Sequence, residues 1–263
     1  MKPHETLLVE RRGAAVWITL NRPEQLNAIT PTMATELADV VAELQNDRSA
    51  RVVVLRGAGK SFCAGLDIKA ARRRDGHGGL ERLGEIVLGL RTCPQPVIAL
   101  VQGAACGGGF VLALAADIRI AGQTAKMNDA FINLGLSGCE LGISYLLPRE
   151  VGMSVAAELM YTGRFVTAER AERLGLVSFV VADAELEMTA QTFIDDMLRA
   201  APLGLRKTKE TLHRAADVGD LAAVIDIEAA TQIECMAGPD FAEGLRAFVE
   251  KRAPIFAEPT FKE

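Results

Sequence analysis

The chain has 263 residues, 49% of them hydrophobic, which is enough for one sizeable core. A formal net charge of −5 argues against a nucleic-acid partner. The five cysteines (Cys63, Cys93, Cys106, Cys139 and Cys235) form no CxxC pair, so they read as reduced thiols, not as a disulfide frame or zinc site. With charges in place of a signal-peptide core and no apolar run of bilayer length, a soluble cytoplasmic protein with no membrane partner is expected.

Two strands are predicted around Gly13 in TLLVERRGAAVWITLNRP, where Val16, Ile18 and Leu20 alternate with Trp17 and Thr19. After the loop NRPEQLNAIT, Thr30 is suited to cap a helix with Pro31 at its first position. Met33, Leu37, Val40, Val41 and Leu44 then form one apolar stripe. RVVVLRG reads as a buried strand and GKSFCAGLD as a glycine-punctuated loop. The polar, glycine-rich stretch 72–79 reads as a mobile surface segment. PVIALVQG is a further strand, followed by a helix that opens at Gly107, Gly108 and Gly109. Strand and helix signals alternate to about Val181. From Asp183 on the pattern is helical, with one stripe at Leu221, Val224, Ile225 and Ile227 and a last amphipathic helix stopped near Pro254. The fold class is α/β, with a mixed core and a C-terminal helical unit.

Three adjacent glycines are conformationally costly, so their position between a strand and a helix needs a reason. The first N–H groups of a helix have no intrahelical partner and attract negative charge. Without a Cβ, a ligand oxygen can come close to that backbone. Tight helix–strand packing would also explain the glycines. The loop GKSFCAGLD follows a buried strand in the same way, and two such loops can converge on one carbonyl oxygen. Two backbone donors aimed at a developing oxyanion form an oxyanion hole, in which each donor is worth roughly 3 kcal/mol.

SFCAGLDIKA together with VQGAACGGGFVLALAADIRIA resembles the crotonase family, the enoyl-CoA hydratase/isomerase superfamily. LNRPEQLNAIT, YTGRFVTAERAERLGLVSFVV and DFAEGLRAFVEKRAPIF continue the resemblance over nearly the whole chain. The resemblance implies a crotonase (ClpP-like) spiral of ββα units over residues 1–200. It also implies a helical region over 201–263 that mediates a homotrimer or a dimer of trimers. The implied substrate is an acyl-CoA thioester, with coenzyme A as part of the substrate and no tightly bound cofactor or metal. The oxyanion hole falls on the backbone N–H groups of Leu66 and Gly108. Ala64, Asp67 and Gly107 flank it, and Lys69 lies toward the CoA phosphates. Phe248 and Lys251 of a neighbouring subunit cover the CoA. For both lysines a solvated surface charge is the alternative.

Family members that hydrate enoyl-CoA hold their water with two glutamates. The matching positions here are Val111 and Phe131, and an apolar side chain moves no proton. A different carboxylate, Glu140 in GLSGCELGISYLLPREVG, resembles the acid of dienoyl-CoA and ring-epoxide isomerase types. Leu134, Leu136, Leu141, Ile143 and Leu146 are expected to bury it and so raise its pKa. The alternative is that Glu140 caps, or faces solvent at, the start of a helix over 142–150. A double-bond shift needs only one base, so isomerisation is favoured over hydration. A non-catalytic acyl-CoA-binding protein on the same scaffold is the rival reading. GAGKS at 57–61 lacks the first glycine of a P-loop. His4, His77 and His213 have no metal-ligand spacing and read as surface residues. No histidine stands ready to activate Cys63, Cys106 or Cys139.

Overall fold

A computed structural model describes residues 3–68 and 80–256. The predicted mobile segment 72–79, Lys69 and His77 lie outside the described residues.

The apolar runs of Ala15–Leu20, Val52–Gly57 and Val97–Val101 become strands buried on both faces. β1 (Leu7–Arg12) pairs antiparallel with β2 (Ala15–Leu20) around the Gly13 turn. From β2 the pairing is parallel through β3 (Val52–Gly57), β4 (Val97–Val101), β6 (Ile118–Gly122) and β9 (Phe179–Val181), in the order β1-β2-β3-β4-β6-β9. Val53, Leu55, Ala99 and Val101 face one core, and Val52, Val54, Ile98 and Leu100 face another. Helices cover both faces, which is why these strands read as continuous hydrophobic runs.

Helix α1 (Pro31–Asn46) starts as predicted, with Thr30 Oγ1 accepting the Met33 N–H at 3.2 Å and Pro31 at the first position. It packs with α2 (Leu80–Thr92) and α3 (Gly108–Ala115) against the first core. Every residue of α3 is buried. On the other face Leu186, Ala190 and Ile194 of α7 (Leu186–Arg199) meet Trp17 and Ile98.

A second, smaller sheet sits at the ends of these units. β5 (Ala104–Cys106) pairs with β7 (Lys126–Asn128), and β7 with β8 (Val166–Thr167). The isolated bridges Cys63–Ala105 and Ile29–Leu66 extend the pairing to earlier turns of the chain. Successive units thus send one strand to the large sheet and a shorter one to the small sheet, in the crotonase manner. Helices α4 (Ile143–Val151), α5 (Met153–Thr162) and α6 (Ala168–Arg173) complete this side. Among the described residues no helix is long and apolar enough to cross a membrane.

After α7 the chain is helical, with α8 (Pro202–Ala215), α9 (Leu221–Ala237) and α10 (Pro239–Glu250). The predicted stripe on α9 is not covered within the single chain, where Leu221 and Ile225 are 74% and 54% exposed. α8 is anchored by a buried cation. Lys209 Nζ donates to Leu90 O at 2.8 Å and to Gln95 O at 2.9 Å, and meets Asp117 Oδ2 at 2.9 Å. His213 is half-buried and not the surface residue expected. Its Nε2 lies 2.9 Å from Asp117 Oδ1 and its Nδ1 lies 2.9 Å from Arg91 O. The periodicity of α8 gives no sign of this, because the partners come from α2 and the turn before β6.

Replacing Lys209 with Met leaves Asp117 and two buried carbonyls short of a donor. We expect a loss of roughly 3–5 kcal/mol, read as a lower denaturant midpoint at unchanged slope.

Candidate active site

The site is built where the loop after β3 crosses the start of α3. Cys63 N–H donates to Ala104 O at 2.9 Å, and Cys106 N–H donates back to Cys63 O at 3.0 Å. Ile29 N–H donates to Gly65 O at 2.7 Å, and Asp67 N–H donates to Ile29 O at 2.9 Å. That alternation leaves the Leu66 N–H pointing away from the Ile29 strand. The Gly108 N–H opens α3 and has no intrahelical acceptor. Among the described residues neither amide has an acceptor.

Glycine is required by proximity here. A Cβ on Gly65, at φ +89°, would stand 2.6 Å from Cys106 O and 3.5 Å from Gly108 N. A Cβ on Gly109 would stand 2.2 Å from Cys63 O. Gly107 precedes the helix at φ +50°, a region that disfavours side chains. The two loops therefore lie backbone to backbone, as the convergence argument expects. Gly108 differs from its neighbours. Its Cβ position meets only side-chain carbons at ordinary distance, Ile29 Cδ1 at 3.6 Å and Leu141 and Leu83 Cδ1 at 3.8 Å. An apolar cage thus surrounds the free amide.

Two residues brace the first loop, and sequence reasoning did not assign them roles. Buried Asn27 donates from Nδ2 to Ala58 O at 2.9 Å and Ser61 O at 2.8 Å, and its Oδ1 accepts the Arg22 N–H at 2.9 Å. The Arg22 guanidinium meets Asp67 at 3.2 Å. Asp67 is thus tied into a loop brace. The half-buried Ala64 gives its N–H to Leu26 O. Both bracing residues stand in NRPEQLNA. Their spacing was visible, but the partners lie more than 30 residues away.

Val111 is fully buried in the core, and the Phe131 ring lies against Gly107, with Cε1 3.6 Å from its Cβ position. Neither hydratase position carries a carboxylate. Glu140 is half-buried, and the apolar surround expected for it is only partly there. Leu134 and Leu136 are 56% and 54% exposed, whereas Ile143 and Leu146 are buried. The reason is that a short 3-10 turn, Ile132–Leu134, and the bend after it lie on the surface. Of the alternative reading, the cap is not formed. α4 begins at Ile143 with Gly142 as its cap, and among the described residues the Glu140 carboxylate accepts only the adjacent Leu141 N–H, at 3.3 Å. Leu141 is left-handed at φ +53°, a costly conformation for a branched side chain. That turn carries Leu141 over Gly108 and sets Glu140 in a groove of about 730 Å³ beside α2.

Cys63 and Cys106 are poor nucleophiles, because burial pushes their thiols to about 12 and about 11. Phe248 is 83% exposed, and Lys251 ends α10 in the left-handed conformation. Among the described residues no hydrogen bond ties either to the loops that carry Leu66 and Gly108.

A second acid went unnoticed in MNDAFINL. Asp129 is fully buried, and its Oδ1 accepts the Phe131 N–H at 3.2 Å. Among the described residues its Oδ2 has no donor, and it lies, like Met160 O, within 3 Å of where a Gly138 Cβ would stand. Burial lifts this carboxyl to about 6, against the pull of the Phe131 N–H. A lone acid among apolar neighbours was the available signal.

The match with known proteins decides the family. The enoyl-CoA hydratase/isomerase family model covers residues 10–259. The chain belongs to that family. It is an enzyme of the hydratase or isomerase kind. A Mycobacterium bovis relative named "Probable enoyl-CoA hydratase echA12" is 42% identical, over 97% of this chain and 93% of its own. The 1,2-epoxyphenylacetyl-CoA isomerase of Escherichia coli is 35% identical, over 96% of this chain and 98% of its own. The crystal structure of enoyl-CoA hydratase from Bacillus anthracis superposes with a TM-score of 0.93 at 33% identity, covering 97% of this chain and 100% of that one.

Two stability predictions follow from this geometry. Gly109→Ala forces backbone against backbone and should lose about 3 kcal/mol or more, whereas Gly108→Ala should fold with equal or higher Tm, since Ala favours helix by about 1 kcal/mol. Thermal unfolding of the pair checks both. For Asp129 the folded form keeps, between about pH 4 and 6, a proton that the unfolded chain releases. Stability therefore falls as pH rises through that window and stays reduced above it. Asp129→Asn should stabilise by roughly 2 kcal/mol at pH 8, with the gain shrinking toward pH 4, as read by denaturant unfolding.

Proposed function

We propose that this enzyme acts on an unsaturated acyl-CoA thioester by way of an enolate. The observation that carries the reading is the pair of acceptor-free amides, Leu66 N–H and Gly108 N–H, where two glycine-bearing backbones meet. Such donors stabilise a thioester oxyanion and acidify the α-carbon. Glu140 is the proton carrier, removing a proton at one carbon and returning it at another. Double-bond isomerisation is favoured over hydration, because Val111 and Phe131 offer no carboxylate to hold a water. The likeness to a ring-epoxide isomerase supports this direction.

Coenzyme A enters as part of the substrate, and the chemistry asks for no other cofactor. Leu221, Ile225, Ile233 and Met236 on α9, with Leu245, Phe248 and Val249 on α10, leave apolar area uncovered. This supports a core over 1–200 and an oligomerisation region over 201–263, closing a trimer or a dimer of trimers. In that assembly Phe248 and Lys251 of one subunit cover the CoA of the next. Five free thiols fit a cytoplasmic site of action.

The test is a paired assay of wild type, Glu140→Gln and Gly108→Ala on a 2-enoyl-CoA and a 3-enoyl-CoA, with products identified by mass. We expect a bond shift without mass change, reduced at least about 100-fold in Glu140→Gln. In Gly108→Ala turnover should fall at least tenfold, because the added methyl occupies the space over the amide. Gain of a water mass would assign hydration instead. Tight binding without turnover of either substrate would assign a non-catalytic acyl-CoA-binding protein, the rival that the loss of both hydratase glutamates favours.

A further inference from the structure

Beside the oxyanion amides the acyl groove changes character along its length. Its near end is apolar. Leu141 stands over Gly108 and also lines the groove, followed by Gly84, Val87 and Leu88 of α2. Its far end is ionic, with Arg91, Tyr145, His213 and Asp217.

The charges at the far end are not equally satisfied. Asp217 accepts from the Tyr145 hydroxyl and faces the Arg149 guanidinium at 3.5 Å. His213 has an oxygen against each ring nitrogen, from Asp117 and from the Arg91 carbonyl. The Arg91 backbone is thus fixed, at the last turn of α2. Its side chain is half-buried, and among the described residues no carboxylate or carbonyl meets its guanidinium. The Tyr145 phenol is pushed up chiefly by its bond to Asp217, while the Arg149 and Arg91 charges pull it down. Arg91 lines the groove with Tyr145, and also lines the neighbouring cleft beside Thr92 and Cys93. A half-buried arginine without a counter-ion, at the end of an apolar channel, is left to be neutralised by what enters the channel.

We propose that Arg91 is a specificity residue that selects acyl-CoA thioesters carrying a carboxylate at the far end of the acyl chain. The guanidinium fork matches a carboxylate through two parallel hydrogen bonds, which a methyl terminus cannot use. Glu140 lies toward the near end of the groove, so it does not compete for the same cation; Glu140 and Arg91 form no ion pair. The inference rests on the reading of this site as an acyl-CoA site, and it adds what the distal end of the acyl group must be.

The test uses saturated, unreactive thioesters, so that it does not depend on turnover. Isothermal titration of the full chain would compare dicarboxylic monothioesters, from glutaryl-CoA through sebacyl-CoA, with methyl-terminated acyl-CoA of equal length. The expected result is at least one length at which the carboxylate form binds about tenfold tighter or more, a charge-assisted bond being involved. In Arg91→Gln the ratio should fall to near one, and in Arg91→Lys, which keeps the charge but not the fork, it should lie between. Circular dichroism and Tm of the variants check that they fold. Equal or weaker binding of the carboxylate form at every length, or a preference that survives Arg91→Gln, would overturn the proposal. The two ideas fail separately. Carboxylate preference without any Glu140-dependent turnover would sink the isomerase reading and keep Arg91, while turnover without preference would do the reverse.

Discussion

The crossing of residues 63–66 over the start of α3 is the constraint on which this structure turns. Two backbones approach so closely that a Cβ on Gly65 or Gly109 would stand 2.6 or 2.2 Å from a carbonyl oxygen. Such proximity is open only to glycine, and it is what brings the Leu66 and Gly108 amides to one place. The large sheet serves this crossing. It fixes the ends of β3 and β4, and the loops that follow those strands are the ones that meet.

An unpaired amide is costly unless something holds it in place, and the brace comes from far along the chain. Asn27 closes on Ala58 O and Ser61 O, Arg22 reaches Asp67, and the Ile29 bridge takes up the peptide groups on either side of Leu66. Because the neighbouring groups are satisfied, the remaining N–H is preorganised. The same logic applies on the other side, where Gly107 N–H donates to Asn128 O at 3.0 Å and leaves Gly108 as the first free donor.

Around this fixed centre Val111 and Phe131 are apolar and buried, and the proposed proton carrier, Glu140, stands on a turn that is left-handed at Leu141. That turn does two things at once. It sends the Leu141 side chain over the free amide and leaves Glu140 at the mouth of a groove whose far end is ionic. A left-handed leucine is consistent with a position held for function and not for stability.

The sequence by itself determined the local features. Thr30 and Pro31 start α1, continuous Val and Ile runs make two-sided strands, and three glycines open α3, because these depend on neighbours in the chain. The Leu66 and Gly108 amides, proposed as the oxyanion pair, were singled out through the resemblance of their two motifs. The tertiary structure decided what depends on distant partners. It exposed Leu134 and Leu136, which were expected to bury Glu140, and it set a half-buried His213 against Asp117. It gave Asn27 and Arg22 their bracing roles and, among the described residues, left Asp129 Oδ2 without a donor and the groove-lining Arg91 without a carboxylate against its guanidinium. Burial and charge pairing are sums over contacts between elements, and periodicity within one element carries no record of which element will lie against it.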